Sequence, residues 1–284
     1  MDNQLLLKDG TPMPKLGMGT WNMGENPKTR FEEIRALRHG IQEGMTLLDT
    51  AEMYGEGLSE ELIGEALKGL RREDLFLVSK FYPHHGKKEA LKRSCKNSLK
   101  RLGTAYLDLY LLHWRGSVPL AETVEGLEEL KAEGLIRNWG VSNFDVEDLE
   151  ELLQVPQGEN CRVNQVLYHL GSRGIERDLL PYAQAQGILT MAYCPMAHDA
   201  ASRKRITGSP LVKEMALRLE KTPEQLMLAF LLAQKNLCVI PKASTLEHVN
   251  QNAQMLSFTL SMEDLAALSA AFPPPSQRVP LDML

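Results

Sequence analysis

Asp49, Tyr54, Lys80 and His113 are the residues whose types and positions suit shared chemistry. Asp49 ends an apolar run within T-L-L-D-T-A-E-M-Y-G-E-G, residues 46–57, and Tyr54 follows in the same glycine-bearing loop. Lys80 ends L-F-L-V-S-K and His113 ends L-D-L-Y-L-L-H. Strand-like runs usually stop at turn residues; these stop at a carboxylate, an ammonium and an imidazole. Reduction of a carbonyl would use all four groups. Hydride added to C=O leaves an alkoxide that needs a proton, and free tyrosine, with a pKa near ~10, is too weak an acid to be ideal at neutral pH. A lysine ammonium beside it stabilises the phenolate and is expected to lower that pKa. Asp49 would keep the ammonium charged and oriented, and His113 would hydrogen-bond the substrate oxygen. Taken singly, each has a blander reading: a strand-end ion pair, a rim lysine, a core histidine, an exposed loop aromatic. Their joint arrival at successive strand ends is what argues for a site.

The elements that must position them recur along the chain. Strand-like runs fall at residues 15–20, 45–50, 75–80, 107–113, 137–142, 162–168, 188–193 and 237–241. Helix-period segments separate the first seven, at 31–43, 59–70, 87–102, 121–133, 145–153 and 178–186, several of them stopping at a glycine such as Gly103 or Gly134. A polar, basic loop is expected at 198–209, then helices at 211–220 and 223–234. Two more helices, at 247–256 and from Ser261, precede a proline-rich tail, 272–284. Buried, unalternating strands joined by helices imply a parallel sheet covered by helices, and eight such units close a barrel. The expected fold is therefore α/β, a (β/α)8 TIM barrel, with residues 1–284 forming a single domain. Asp9-Gly10 marks a β-hairpin before the first unit, placed as a lid on one end. The rival, a doubly wound dinucleotide fold, wants G-x-G-x-x-G at the first turn, where this chain has Gly17-Met18-Gly19-Thr20-Trp21-Asn22. In a closed barrel the C-terminal strand ends share one face, where active sites are built.

Composition sets outer bounds. Hydrophobic residues make up 43% and charged ones 24% of the 284, with a net charge of −5. That is an ordinary globular balance with no electrostatic footprint for nucleic acid or an anionic membrane. The start, M-D-N-Q, lacks a signal-peptide pattern, and Leu226–Ala233 is far too short to span a bilayer. Cys95, Cys161, Cys194 and Cys238 show no metal or redox spacing, so a reducing cytoplasm is expected. His84-His85 lacks a third ligand, and no metal is expected.

Six strings in order, L-L-D-T-A-E-M-Y-G, V-S-K, L-L-H-W, W-G-V-S-N-F, N-Q and I-P-K-A-S, resemble the aldo-keto reductases along nearly the whole chain. Others, including G-T-W-N-M-G and the final P-L-D-M-L, resemble the family's bacterial methylglyoxal reductases. The resemblance implies an NADPH-dependent enzyme acting on small aldehydes and ketones such as 2-oxoaldehydes; a monomer is expected, and His248, treated below, leaves NADH as an alternative coenzyme. Asp49, Tyr54, Lys80 and His113 would be its catalytic tetrad. Ser142, Asn143 and Gln165 would hold the nicotinamide carboxamide, Tyr193 would stack on the ring, and Gly19, Thr20 and Trp21 would line the cofactor–substrate junction. Cys194, Pro195 and Met196 would continue the cofactor wall, Cys194 by packing. Lys242 would meet the adenosine 2′-phosphate beside Ser244 and Thr245, with Gln251 and Asn252 near the adenine.

His248 departs from the family, whose NADPH users usually carry arginine there; an imidazole lacks arginine's fixed charge and bidentate fork. Arg203, Lys204 and Arg205 would approach the pyrophosphate or simply form a solvated loop. Trp21, Tyr82 and Trp114 are the expected aromatic walls of the substrate pocket. The short tail and the short loop after His113 imply an open pocket for small carbonyls. Two other classes compete: a nicotinamide-binding regulatory subunit with little turnover, and a barrel aldolase or isomerase using Lys80 as a Schiff base. The latter leaves Asp49, Tyr54 and the amide set without a joint purpose.

Overall fold

The structure is a computed structural model describing residues 3–284, so Met1 and Asp2 of the polar start lie outside the described residues. Two short strands, β1 (Gln4–Leu6) and β2 (Pro12–Pro14), pair antiparallel around Asp9-Gly10. Eight parallel strands follow: β3 (Gly17–Gly19), β4 (Leu47–Asp49), β5 (Phe76–Phe81), β6 (Leu107–Leu112), β7 (Ile136–Ser142), β8 (Val163–Leu167), β9 (Leu189–Tyr193) and β10 (Leu237–Val239). Each pairs with its neighbours in chain order. The ring closes where β3 meets β10, through parallel bridges Leu16–Val239 and Gly19–Lys242. A side chain at Gly19 would press to 3.0 Å of the Ile240 carbonyl, so the missing Cβ is what lets the seam approach. The (β/α)8 barrel expected from the repeat is the fold found.

Helices α1 (Arg30–Gln42), α2 (Leu58–Ala66), α3 (Lys88–Leu102), α4 (Leu120–Ala132), α5 (Val146–Gln154) and α6 (Leu179–Ala185) fill the first six gaps between strands. The last gap holds α7 (Ala200–Thr207), α8 (Pro210–Leu219) and α9 (Pro223–Leu232); α10 (Leu246–Ala253) and α11 (Met262–Ala271) follow the eighth strand. One expectation fails here: residues 198–209 are not a loop. The Asp199 side chain accepts from the Ser202 N–H and caps α7, whose Ile206 is fully buried. A carboxylate at the cap and one buried apolar anchor suffice for two turns of basic residues.

Two apolar layers result from the strand alternation. Outward residues such as Leu48, Leu77 and Trp139 pack under the helices. Inward residues, among them Leu47, Phe76, Val78, Leu109, Leu111, Val163, Leu189, Met191, Cys238 and Ile240, fill the barrel. Leu7 and Met13 of the hairpin join that inner cluster, so the lid plugs the end where the strands begin. The other end is left for chemistry. Among the described residues no helix is long and apolar enough to cross a membrane, and no group of three or more His, Cys, Asp or Glu is placed to hold a metal.

Candidate active site

The same period-2 alternation that buries Phe76 and Val78 turns Lys80 inward, and it does likewise for the last inward position of each strand. Gly19 and Asp49 lie side by side across β3 and β4, Lys80 beside Leu111, and Ser142 beside Gln165. These inward strand ends surround a cleft of about 640 Å³. Its lining includes Gly19, Thr20, Trp21, Asp49, Tyr54, His113, Trp114, Ser142, Asn143, Gln165, Tyr193, Cys194, Pro195, Met196 and Lys242.

Lys80 is not itself part of the lining; it is fully buried behind Asp49 and Tyr54, and its three N–H bonds have three acceptors: Asp49 Oδ2 at 2.8 Å, the Thr50 carbonyl at 2.8 Å and the Tyr54 hydroxyl at 3.1 Å. Asp49 accepts at its other oxygen from Gln165 Nε2, 2.8 Å away. The loop carrying Tyr54 is braced from below. Buried Glu52 accepts from the Tyr82 N–H and the Ser94 hydroxyl and contacts His85 Nδ1. Thr20 donates to the Asp49 carbonyl at 2.9 Å and is held by Ser59. Tyr54 and His113 meet edge to face with ring centres 5.8 Å apart.

Burial works against the Lys80 ammonium, but the charges and hydrogen bonds of Asp49 and Tyr54 outweigh it and raise its pKa. For Tyr54 the balance goes the other way from expectation. Burial is the larger influence and holds the phenol above its usual value; the Lys80 ammonium offsets part of that rise. Lys80 therefore limits the penalty on the phenolate without reversing it, and Tyr54 stays protonated throughout the neutral range. Burial, then Lys80, push His113 down to about 2. Its Nδ1 is buried with no hydrogen-bond partner among the described residues, while the ring borders the cleft, so Nε2 is the nitrogen left for a ligand there.

The amide-bearing wall is tied to the same groups. Ser142 donates to the Gln165 carbonyl, Tyr193 donates to Asn143 Oδ1 at 2.9 Å, and Asn143 Nδ2 donates to the His113 carbonyl at 3.2 Å. Asp145 caps α5, in a capping box with Asp148, which leaves Ser142 and Asn143 free of that task. Asn22, Asn143, Cys194 and Ala197, all on the cleft, have positive φ, so backbone strain gathers at this rim.

Other sequence expectations need correction. Tyr82 is not part of the cleft lining; it makes an edge-to-face contact with Trp114, centroids 6.0 Å apart, and stacks on His84. Nor is the tail short enough to leave the pocket open. Arg278 pairs with Asp145, Glu147 and Asp178, and Ser172 donates to Asp282, so the tail returns over the barrel and adds Met283 and Leu284 to the cleft wall. The P-L-D-M-L string was a clue to this wall, though its local pattern carries no contact information. Asn22, Met53, Ala197, His198 and Ile240 also line the cleft beyond the residues singled out from sequence, and of the basic residues 203–205 only Arg203 reaches it. Ser244, Thr245, His248, Gln251 and Asn252 lie beyond its lining, just before and along α10, whose start Thr245 caps by accepting from the His248 N–H.

The Aldo/keto reductase family model matches residues 15–272. The chain belongs to the aldo/keto reductase family. Among relatives, methylglyoxal reductase YeaE of Escherichia coli is 49% identical over 96% of this chain and 95% of its own length. A glyoxal reductase of Bacillus subtilis is 34% identical over 93% of this chain and 91% of its own. Among solved structures, an aldo-keto reductase of Klebsiella pneumoniae in complex with NADPH superposes with a TM-score of 0.96 at 48% identity, covering all of both chains. This aldo/keto reductase thus shares with its relatives the barrel and almost the full span of sequence that builds the cleft.

Proposed function

We propose that this reductase uses NADPH to convert small aldehydes and ketones to alcohols, 2-oxoaldehydes such as methylglyoxal foremost, with Tyr54 as the proton donor. The observation that carries the reading is buried Lys80 Nζ bonded at once to Asp49 and to the Tyr54 hydroxyl, two groups that line the cleft. The named activities of the YeaE and Bacillus relatives support the substrate class. The four free cysteines fit a reducing cytoplasm.

The cleft fits the coenzyme by its donor set. Ser142, Asn143 and Gln165 give an amide-binding wall, Tyr193 an aromatic face, and Lys242 and Arg203 cationic side chains on the same cleft. Bound NADPH would supply the hydride. Tyr54 gives its hydroxyl proton to the substrate oxygen, and the Lys80 ammonium stabilises the phenolate left behind. Asp49 keeps that ammonium charged and in place. Neutral His113 uses Nε2 to hydrogen-bond and orient the carbonyl oxygen. Lys80 is an unsuitable Schiff-base nucleophile, since a protonated amine with three acceptors offers no lone pair.

NADPH absorbance followed with methylglyoxal and a short aldehyde panel tests the reading, and turnover is expected. Tight NADPH binding without turnover would overturn it in favour of a regulatory subunit. Three further results are expected. The active form of Tyr54, the phenol, persists below its raised pKa and is lost above it, while His113 remains uncharged down to about 2. The kcat for reduction should therefore show no break across about pH 5–8 and fall only on the alkaline side. A break centred near the ordinary imidazole value would contradict the role given to His113. Lys242→Ala should weaken NADPH by about tenfold or more, the scale of one charged hydrogen bond, and leave NADH nearly unchanged. Equal losses for both coenzymes would remove Lys242 from the 2′-phosphate. His248→Arg should widen the preference for NADPH.

A further inference from the structure

The Gln165 side chain is buried between the proton-transfer groups and the amide-bearing wall. Its amide orientation follows from chemistry: a carboxylate only accepts, so the atom 2.8 Å from Asp49 Oδ1 must be Nε2. The second Nε2 contact, 2.9 Å, is to Met191 Sδ. Nε2 is thus turned to Asp49, and Oε1 is the amide atom left for a ligand. The main chain beneath is fixed as well, since the Gln165 carbonyl accepts from Ser142 Oγ at 2.8 Å and from the Asn143 N–H at 2.9 Å.

We propose that Gln165 is a positioning residue for proton transfer, holding the Asp49 carboxylate against Lys80 through Nε2 while Oε1 is left for the coenzyme's carboxamide. The inference rests on the coenzyme reading above and deepens it, because one side chain then connects coenzyme binding to the proton donor. Tyr54 is faced by Asp49 from β4, Lys80 from β5, His113 after β6, and Tyr193 and Cys194 at the end of β9. Among these, the Asp49 charge opposes ionisation of Tyr54 and the Lys80 ammonium favours it. The Gln165 N–H is the one side-chain donor besides Lys80 recorded on the Asp49 carboxylate among the described residues. Without it, more of the Asp49 charge is felt at Tyr54, and the phenol becomes a weaker acid.

Gln165→Met, close in size but without a donor, tests this in coenzyme-free protein. The titration of Tyr54 is read by NMR of carbon-labelled tyrosine and assigned with Tyr54→Phe. It is expected to move upward by roughly half a unit to one unit, the scale of part of one hydrogen bond to a charged group. With saturating NADPH, the alkaline limb of kcat should move up with it, and the plateau should fall about tenfold, a share of what general acid catalysis contributes. Gln165→Asn keeps an amide but withdraws it from Asp49, and should shift Tyr54 in the same direction. A Tyr54 titration unchanged in both variants, with only NADPH affinity reduced, would overturn the proposal. The coenzyme-free titration needs no turnover, so its failure is distinct from failure of the proposed reaction.

Discussion

Tyr54→Phe is expected to lower kcat with methylglyoxal by at least ~10², the lower end of what general acid catalysis contributes, while NADPH still binds. The phenyl ring can keep the edge-to-face contact with His113, so the cleft retains its shape. What disappears is the hydroxyl 3.1 Å from Lys80, and with it the nearest dissociable proton. His113 cannot take over, because burial and Lys80 hold it uncharged down to about 2, leaving a poor acid at working pH. Stopped-flow absorbance of NADPH with the variant, beside a fluorescence titration of NADPH binding, separates chemistry from affinity. Unchanged turnover in the variant would sink the proton-donor role.

Asp49→Leu should cost about 3–5 kcal/mol of folding stability, the range for breaking a buried ion pair from one side, and abolish turnover as well. Lys80 has no exposed surface, so losing Asp49 strands an ammonium whose remaining partners are a carbonyl and a hydroxyl. Gln165 loses its acceptor in the same substitution. Urea unfolding followed by circular dichroism measures the loss. The double variant Asp49→Leu, Lys80→Met removes both charges and should regain most of the stability, since a buried pair contributes little once its desolvation is counted. It should regain no activity, because nothing then stabilises the Tyr54 phenolate. A single variant within about 1 kcal/mol of wild type, the range of an exposed pair, would mean that the pair is solvated.

Much of the fold was legible because its cause is local. Each strand is an apolar run stopped by polar residues, and helix stops such as Gly103 can be read in place: that residue takes a left-handed conformation at the end of α3. The residues 198–209 were misread because their apolar content is almost confined to Ile206; what makes them helical is the Asp199 cap and a contact from elsewhere in the barrel. A strand-end position does not say whether the Tyr82 ring meets the cleft or, as found, packs on Trp114 and His84.

By itself, the sequence determined the repeat, the barrel and the face on which Asp49, Lys80 and His113 gather, since period-2 alternation is a property of each strand alone. It also supplied the tyrosine, five residues past the aspartate in the next loop. Tertiary structure decided how these groups act on one another. The Gln165–Asp49 bond joins residues 116 apart in the chain, and the tail reaches the cleft through Arg278 and three carboxylates at the starts of α5 and α6. The direction of the Tyr54 shift belongs here too. Charge type could be read from residue names, but the opposing desolvation depends on how completely the folded walls exclude water, and at Tyr54 that influence is the larger.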